Sequence, residues 1–314
     1  MGLSVHVGVT GASGLIGSSL VAALHDRGDT TTAFVRPSTR AVTGNVVRWD
    51  PDHGNIDEGD LQRAGGFDVV VHLAGVGIGD RRWTPSRKRE ILTSRVDSTS
   101  LLVQALRELN QGVALLASGS AVGWYGSRGD EILDEASPPG DGFLSDVCRR
   151  WEDATLPLHG EGTSVALLRT GIVVSSRGGA VKKQLPLFRL GLGGYLATGQ
   201  QWMSPISLLD EVRALLWVID HHITGPVNLC APEPLTNAQF TQLFARQLRR
   251  PAFFRVPKVA LRGVLGSEMA DELVLASQRV VPRVLGESGF LFRHPDASSA
   301  LNWALALENE IKSQ

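Results

Sequence analysis

The stretch Thr10-Gly11-Ala12-Ser13-Gly14-Leu15-Ile16-Gly17 decides the fold of this chain. Residues 5–9 before it alternate between apolar residues and His6 or Gly8, and residues 15–24 after it carry apolar side chains at helical spacing. Glycines at this spacing between a strand and a helix are typical of a turn that binds the pyrophosphate of a dinucleotide. The alternative interpretation is a plain glycine turn.

Each glycine of the motif has a predicted task. Gly11 allows a tight turn directly after the strand. Gly14 lets a pyrophosphate approach the backbone, and Gly17 lets the helix pack closely on the sheet. The helix N-terminus then offers free N–H groups and the positive end of its dipole to the phosphates.

The end of the next strand predicts which dinucleotide binds. A strand over 30–35 ends at Val35 and is followed by Arg36, with Ser38 and Arg40 close by. An NAD site places an acid here for the ribose 2′-hydroxyl, whereas an NADP site places an arginine for the 2′-phosphate. No acid occurs between Arg36 and Asp50. Arg36 therefore predicts NADP(H), and an ordinary solvated loop arginine is the alternative.

Strand and helix patterns alternate along the rest of the first 230 residues. Further strands are predicted at 46–49, 69–73, 113–117, 164–168 and 227–229, and the apolar run 69–73 is typical of a buried parallel strand. We expect an α/β fold, a doubly wound, mainly parallel Rossmann sheet with a smaller C-terminal substrate lobe. The predicted division is an NADP-binding domain of 1–177 and 200–230, and a lobe of 178–199 and 231–314.

Composition limits the classes of partner. The chain has 31 basic and 32 acidic residues, so we expect neither a nucleic-acid nor a membrane partner. The two cysteines, Cys148 and Cys230, lie far apart and suggest no metal site. No signal peptide and no apolar stretch of membrane-spanning length is evident. A reduced, cytoplasmic protein with a small-molecule substrate fits best.

The segment 81–109 reads as one or two helices, strongly charged in its first half. A charge run is usually a solvated face. Because this one follows a predicted cofactor loop, Glu90 and Arg95 could instead turn inward.

The chain as a whole resembles the extended short-chain dehydrogenase/reductase superfamily. The residues that carry this resemblance are the glycine motif, His72-Leu73-Ala74-Gly75, Ser118, Ser120, and Asp210 after Pro205-Ile206. More closely it resembles an atypical branch of this superfamily, the epimerase-like family with a characteristic C-terminal domain. This family is often called nucleoside-diphosphate-sugar epimerase-like. The quoted motifs include Arg82-Trp83-Thr84, Ser94-Arg95, Gly140-Asp141-Gly142, Trp151-Glu152, Leu168-Arg169-Thr170-Gly171 and Gln201-Trp202-Met203-Ser204.

The resemblance implies a set of cofactor contacts. It places them on Gly11, Ser13, Gly14, Leu15, Ile16, Val35, Arg36, Leu73, Ala74, Glu90, Arg95 and Val173. It also implies that relatives often dimerise through helices beside the fourth and fifth strands, which leaves a homodimer open here.

The resemblance exposes a gap in the catalytic apparatus. Active members use a tyrosine as acid/base and a lysine four residues later, which lowers the tyrosine pKa. Counting from Glu152, these positions hold Leu144 and Cys148. Ser120 remains to hold a substrate oxygen, and Tyr125 is the nearest phenol in sequence. The alternative for Tyr125 is a packed aromatic residue, which is the more frequent role of a buried tyrosine.

Three functions stay open on the sequence. The first is an NADP(H)-dependent oxidoreductase or epimerase-type enzyme that lacks the usual pair, with Ser120 and Tyr125 as its catalytic candidates. The second is a catalytically silent NADP(H)-binding sensor or scaffold. The third is a sugar-nucleotide binder, for which Arg189 and the glycines around it are the only hint.

Overall fold

A computed structural model of the chain describes residues 4–37, 39, 44–109 and 112–313, with side chains up to 308. Its strands are β1 (His6–Thr10), β2 (Thr30–Val35), β3 (Asn45–Asp50), β4 (Asn55–Ile56), β5 (Val69–His72), β6 (Leu115–Ala121), β7 (Ile132–Leu133), β8 (Ser164–Thr170), β9 (Ile172–Val174), β10 (Gly194–Leu196), β11 (Trp202–Met203), β12 (Pro205–Ser207), β13 (Gly225–Leu229), β14 (Leu235–Thr236), β15 (Phe254–Val256) and β16 (Arg279–Val280).

The helices lie between and after these strands. They are α1 (Leu15–Asp26), α2 (Glu58–Ala64), α3 (Pro85–Arg107), α4 (Phe143–Asp153), α5 (Gly179–Arg189), α6 (Leu208–Asp220), α7 (Asn237–Gln247), α8 (Lys258–Leu265), α9 (Ser267–Met269), α10 (Arg283–Glu287) and α11 (Ala297–Ser313). Short 3₁₀ turns cover Val122–Tyr125 and Leu156–Leu158, and Ala270–Val274 is a π-helical turn.

One sheet of eight strands runs through the described residues in the order β13-β8-β6-β5-β1-β2-β3-β4. All its pairs are parallel except β3–β4. Apolar side chains cover both faces, with one core against α1 and α6 and the other against α2 and α3. The expected doubly wound, mainly parallel sheet is therefore confirmed.

Strand order sets the position of the site. β1 lies between β2 and β5, so the chain moves to one side of β1 after α1 and returns to the other side with β5. The carboxyl ends of these three strands are where a doubly wound sheet binds its ligand.

The charged segment after β5 forms a single helix. Thr84 caps α3 by accepting a hydrogen bond from the Arg87 N–H at 3.2 Å, and Pro85 occupies the first helical turn. Arg81, Arg82 and Trp83 therefore lie in the loop before the helix and not on it.

A smaller core holds α5, α7 and α11 together. Phe188 of α5 stacks on Phe244 of α7 with ring centroids 4.3 Å apart, and Leu301 of α11 is fully buried beside them. The predicted division of the chain stays a proposal. Within the part predicted to be the lobe, Leu285 and Phe290 pack in the core under the large sheet.

Candidate functional site

The glycine turn after β1 is shaped by close approaches of backbone. Gly11 has φ +66°, and a Cβ there would lie 2.8 Å from the Leu73 carbonyl oxygen. A Cβ on Gly17 would lie 2.2 Å from the Gly11 oxygen. A Cβ on Gly14 would meet only that same oxygen, at 3.2 Å. The fold itself therefore excludes side chains at positions 11 and 17, whereas Gly14 leaves space on the outside of the turn.

Helix α1 presents its N-terminus to that space. The Gly14 N–H donates to the Gly11 oxygen at 2.9 Å, and Gly14 supplies no side-chain cap. The first turn of α1 also carries no acidic residue. The positive end of the helix dipole is thus free to interact with an anion at the turn.

A buried hydrogen-bond chain connects the ends of β1 and β5. Thr10 Oγ1 accepts hydrogen bonds from the N–H groups of Leu73 (3.0 Å) and Ala74 (3.1 Å). Its own proton is therefore directed to His72 Nδ1 at 2.8 Å, and His72 Nε2–H donates to Thr99 Oγ1 at 2.9 Å. Burial lowers the pKa of His72 to about 3, so the ring is neutral. This chain fixes the loop that faces the glycine turn.

A cleft of about 480 Å³ lies across these strand ends. Of the predicted cofactor residues, the cleft lining includes Gly11, Ser13, Val35, Arg36 and Ala74. Leu15, Ile16, Leu73 and Val173 are partly buried and pack against the core on the α1 side. The lining of the cleft contains neither these four residues nor Gly14, Glu90 and Arg95.

Arg36 lies at the exposed rim of the cleft. Its side chain is 52% exposed, and its guanidinium approaches the Asp52 carboxylate at 3.7 Å. Ser38 and Arg40, which the sequence places close to Arg36, lie outside the described residues. Arg36 is thus free to rearrange onto an anion that enters the cleft.

Glu90 and Arg95 lie on α3 and differ in exposure. Glu90 accepts from the buried Arg87 guanidinium at 2.7 Å, and this contact lowers the Glu90 pKa below its ordinary value. Arg95 is partly buried and donates to the Val76 carbonyl oxygen at 3.1 Å, with Trp151 5.1 Å from its guanidinium carbon. Burial lowers the Arg95 pKa to about 10. Arg95 therefore turns inward beside the β5 loop.

The end of β6 carries Ser120 into a buried polar network. Ser120 Oγ donates to Glu152 Oε1 at 2.6 Å. Glu152 also accepts two hydrogen bonds, both 2.9 Å, from the buried guanidinium of Arg169. Because the Ser120 proton is directed at Glu152, its oxygen can accept a hydrogen bond from a substrate hydroxyl or from water.

Tyr125 lies in the interior on the far side of Arg169. Its hydroxyl donates to Asn228 Oδ1 at 2.7 Å and accepts from Arg169 at 3.1 Å, and the side chain has no solvent exposure. Burial, the largest effect, raises the Tyr125 pKa to about 12. Of the two roles weighed for Tyr125, this geometry favours packing over proton donation, because the hydroxyl is fully engaged within the core.

Leu144 and Cys148 face the turn that follows β6. A Cβ on Gly123 would lie 3.4 Å from both Leu144 Cβ and Cys148 Sγ. Burial raises the pKa of the Cys148 thiol to about 12, so it supplies no charge. These two side chains therefore bring no charge to the turn that follows β6.

Two contacts around the site escaped the sequence interpretation. Glu272 of the π-helical turn accepts a hydrogen bond from the Leu144 N–H at 2.8 Å and so caps α4 from the C-terminal region. His294 Nδ1 contacts Ser207 Oγ at 2.8 Å, and the His294 N–H donates to Asp210 at 2.7 Å. Both partners are remote in sequence, and no local pattern could have indicated them.

Two negative findings apply to the described part of the chain. No group of three or more His, Cys, Asp or Glu side chains there could hold a metal ion. None of the helices in those ranges is both long and apolar enough to cross a membrane.

Comparisons with known proteins decide the family. The profile of the NAD dependent epimerase/dehydratase family matches residues 7–230, and that of a domain of unknown function, DUF1731, matches residues 256–304. The chain belongs to the NAD dependent epimerase/dehydratase family. The resemblance seen in the sequence is thereby confirmed.

Individual relatives of this epimerase/dehydratase chain match over nearly its whole length. Epimerase family protein MT2273 of Mycobacterium tuberculosis is 42% identical over 95% of this chain and 97% of its own. The crystal structure of human epimerase family protein SDR39U1 with NADPH has a TM-score of 0.85 at 31% identity, covering 96% of this chain and 99% of that one. The crystal structure of a nucleoside-diphosphate sugar epimerase from Corynebacterium glutamicum has a TM-score of 0.76 at 34% identity, and the match covers 99% of this chain and 62% of that one.

Proposed function

We propose that this epimerase-family chain binds NADP(H) across the ends of β1, β2 and β5 and acts on a small molecule as an oxidoreductase or epimerase-type enzyme. The single observation that carries the choice of cofactor is Arg36 at the rim of the cleft, where an NAD site would place an acid. The NADPH in the structure of human SDR39U1 supports the same choice.

The residues present fit the cofactor. Gly14 leaves a cradle that a side chain would enter, and α1 directs an uncapped N-terminus at it. In this proposal the pyrophosphate lies on the turn from Gly11 to Ile16, the 2′-phosphate binds Arg36, and Arg95 approaches from the β5 loop. When bound, the cofactor supplies or accepts a hydride.

The proton must take a route other than the usual tyrosine and lysine. Tyr125 has no exposed hydroxyl, whereas Ser120 lies at the carboxyl end of β6 with an oxygen available as an acceptor. We therefore assign to Ser120 the task of orienting a substrate hydroxyl or a water that carries the proton. In a turnover assay, Ser120→Ala should lower kcat, whereas Tyr125→Phe should lower stability and leave kcat unchanged.

The sugar-nucleotide reading has weaker support. Arg189, its only hint in the sequence, forms an ion pair with Glu308 at 2.5 Å. The silent-sensor alternative is supported only by Leu144 and Cys148, and no comparison favours it. Turnover of NADPH with a panel of carbonyl compounds and sugar nucleotides separates these functions.

The cofactor assignment is tested by titrating NADPH and NADH into the parent and into Arg36→Glu. A charge-assisted contact to the 2′-phosphate is worth about 1.5–3 kcal/mol, on the order of ten- to a hundredfold in affinity. The parent should prefer NADPH by about this factor, and Arg36→Glu should abolish or reverse the preference. Equal affinity of the parent for the two cofactors would refute the assignment.

A further inference from the structure

The loop between β5 and α3 follows a fixed path along the cleft. Gly75 and Val76 line the cleft, and side-chain hydrogen bonds from Trp83 within the loop and from Lys183 of α5 hold the next residues. Trp83 Nε1 donates to the Ile78 carbonyl oxygen at 2.9 Å, and Lys183 Nζ donates to that of Gly79 at 3.1 Å. The backbone that carries residue 81 is therefore anchored on both sides.

Arg81 on this anchored loop has a loosely held side chain. It is 72% exposed, and no hydrogen bond from it occurs within the described residues. Its nearest described carboxylate is Glu90, at 3.8 Å. The neighbouring Arg82, by contrast, donates to the Gly263 carbonyl oxygen at 3.1 Å.

Glu90 is the meeting point of three arginines. Arg87 binds it directly, and Arg81 and then Arg36 add smaller attractions that lower its pKa further. Arg36 belongs to the loop after β2 and Arg81 to the loop after β5, and the first residues of this second loop, among them Gly75 and Val76, line the cleft opposite Arg36. Both guanidinium groups therefore attract the same carboxylate, that of Glu90 near the start of α3.

The carboxylates near the two exposed arginines are bound by other cations or approach only loosely, and Asp80, next to Arg81, is paired with Lys183 at 2.8 Å. Glu90 is already bound by the buried Arg87, and Asp52 approaches Arg36 only at 3.7 Å. Two exposed guanidinium groups on loops from opposite sides of a cleft fit a dianion, because each can donate paired hydrogen bonds to phosphate oxygens.

We propose that Arg81 is a second specificity-determining residue, which binds the 2′-phosphate of NADP(H) from the side opposite Arg36. This inference rests on the proposed function, because it needs a cofactor in the cleft. It gives a task to a residue that the sequence pattern alone assigns to a solvated charge run.

The test is a double-mutant cycle on cofactor binding. The dissociation constants of NADPH and NADH are measured by fluorescence titration for the parent, Arg81→Ala, Arg36→Ala and the double variant. Arg89→Ala, an exposed arginine on the same charged segment, is the matched control. We expect Arg81→Ala to weaken NADPH about three- to tenfold, less than a buried contact would give, and to leave NADH unchanged.

Two further measurements separate a phosphate ligand from a structural role. Arg81→Lys should restore part of the NADPH preference, since the charge is kept. The preference should also shrink below pH 6, where a phosphate monoester takes up its second proton at a pKa of about 6. Unchanged melting temperatures show that the loop remains folded.

The outcomes are distinct. If Arg36→Ala lowers the NADPH preference and Arg81→Ala does not, the inference is overturned and the proposed function stands. If Arg81→Ala weakens NADPH and NADH equally, Arg81 is a structural residue and the inference is overturned too. If the parent binds neither cofactor or does not distinguish them, the proposed function fails and this inference with it.

Discussion

The glycines in the turn after β1 differ in why a side chain is excluded from them. Gly17 is required by the protein, because its Cβ would lie 2.2 Å from the Gly11 oxygen. Gly14 is nearly unconstrained by the protein, since its nearest described neighbour would lie 3.2 Å away. A small side chain at each position therefore separates folding from cofactor binding.

We predict that Gly14→Ala folds normally and binds NADPH at least about tenfold more weakly, because its methyl group would occupy the pyrophosphate site. Gly17→Ala should instead lose about 1–3 kcal/mol in the free energy of unfolding through overpacking. Calorimetric titration and urea unfolding of the two variants measure these effects. Undiminished NADPH affinity in Gly14→Ala would show that the turn is misassigned.

The buried carboxyl group of Glu211 predicts a pH dependence of stability. Burial raises its pKa from 4.5 to about 8, and its described partner is the Thr170 hydroxyl at 3.0 Å. The folded state thus holds a proton that the unfolded state releases near pH 4.5. The contribution of protonated Glu211 to the free energy of unfolding is complete below that pH and is lost as the pH rises through about 8.

We expect the parent to lose several kcal/mol of stability relative to Glu211→Gln between pH 5 and pH 9, since one pKa unit corresponds to about 1.4 kcal/mol. Glutamine keeps the size of the side chain and cannot ionise. Urea unfolding of both proteins across this range gives the difference. A constant difference at all pH values would mean that Glu211 does not titrate in this window.

Helix α4 and strand β8 are joined by the buried ion pair of Glu152 and Arg169. Both side chains are about 95% buried, and Trp124 stacks on the guanidinium at 4.0 Å. The pair also orients the Glu152 carboxylate that accepts the hydrogen bond from Ser120. Removal of one partner leaves an uncompensated charge in the interior.

Glu152→Gln should therefore destabilise the protein by about 3–5 kcal/mol, although glutamine can still accept the Ser120 hydrogen bond. Glu161→Gln is the control, because it breaks the exposed pair with Arg107 between α3 and the loop after α4. Thermal unfolding of both variants provides the comparison. Similar losses for the two would mean that burial does not govern the Glu152 pair.

The C-terminal third of the chain contacts the large sheet and the elements around it at several places. β16 pairs with β7, the Val284 N–H donates to Glu135 at 3.2 Å, and Leu285 and Phe290 fill the core under the sheet. Glu268 reaches across to Lys88 at 2.5 Å. The lobe and the sheet thus share contacts along much of the chain.

From these contacts we predict that residues 1–230 do not fold as an independent domain, because they would expose the apolar surface that Leu285 and Phe290 cover. The fragment should bind a hydrophobic dye and melt without cooperativity, whereas the full chain should unfold in one transition. Circular dichroism and calorimetry test this. A fragment that melts cooperatively and binds NADPH would support the division predicted from sequence.

The sequence by itself determined the layout of the sheet and the place of the cleft. Gly11, Gly14 and Gly17 act through backbone conformation within eight residues, and the apolar run of β5 reports burial directly. Such signals depend only on residues that are neighbours in the sequence, so they can be recognised without the structure. For the same reason the sequence located Arg36 at the end of β2.

Only the tertiary structure decided which polar groups meet. Tyr125 stands five residues after Ser120, yet Arg169 and Glu152 separate the two and bury the phenol. Glu272 accepts a hydrogen bond from Leu144, which lies 128 residues earlier in the sequence. These encounters depend on strand order and helix packing over long separations, and no local residue pattern encodes them.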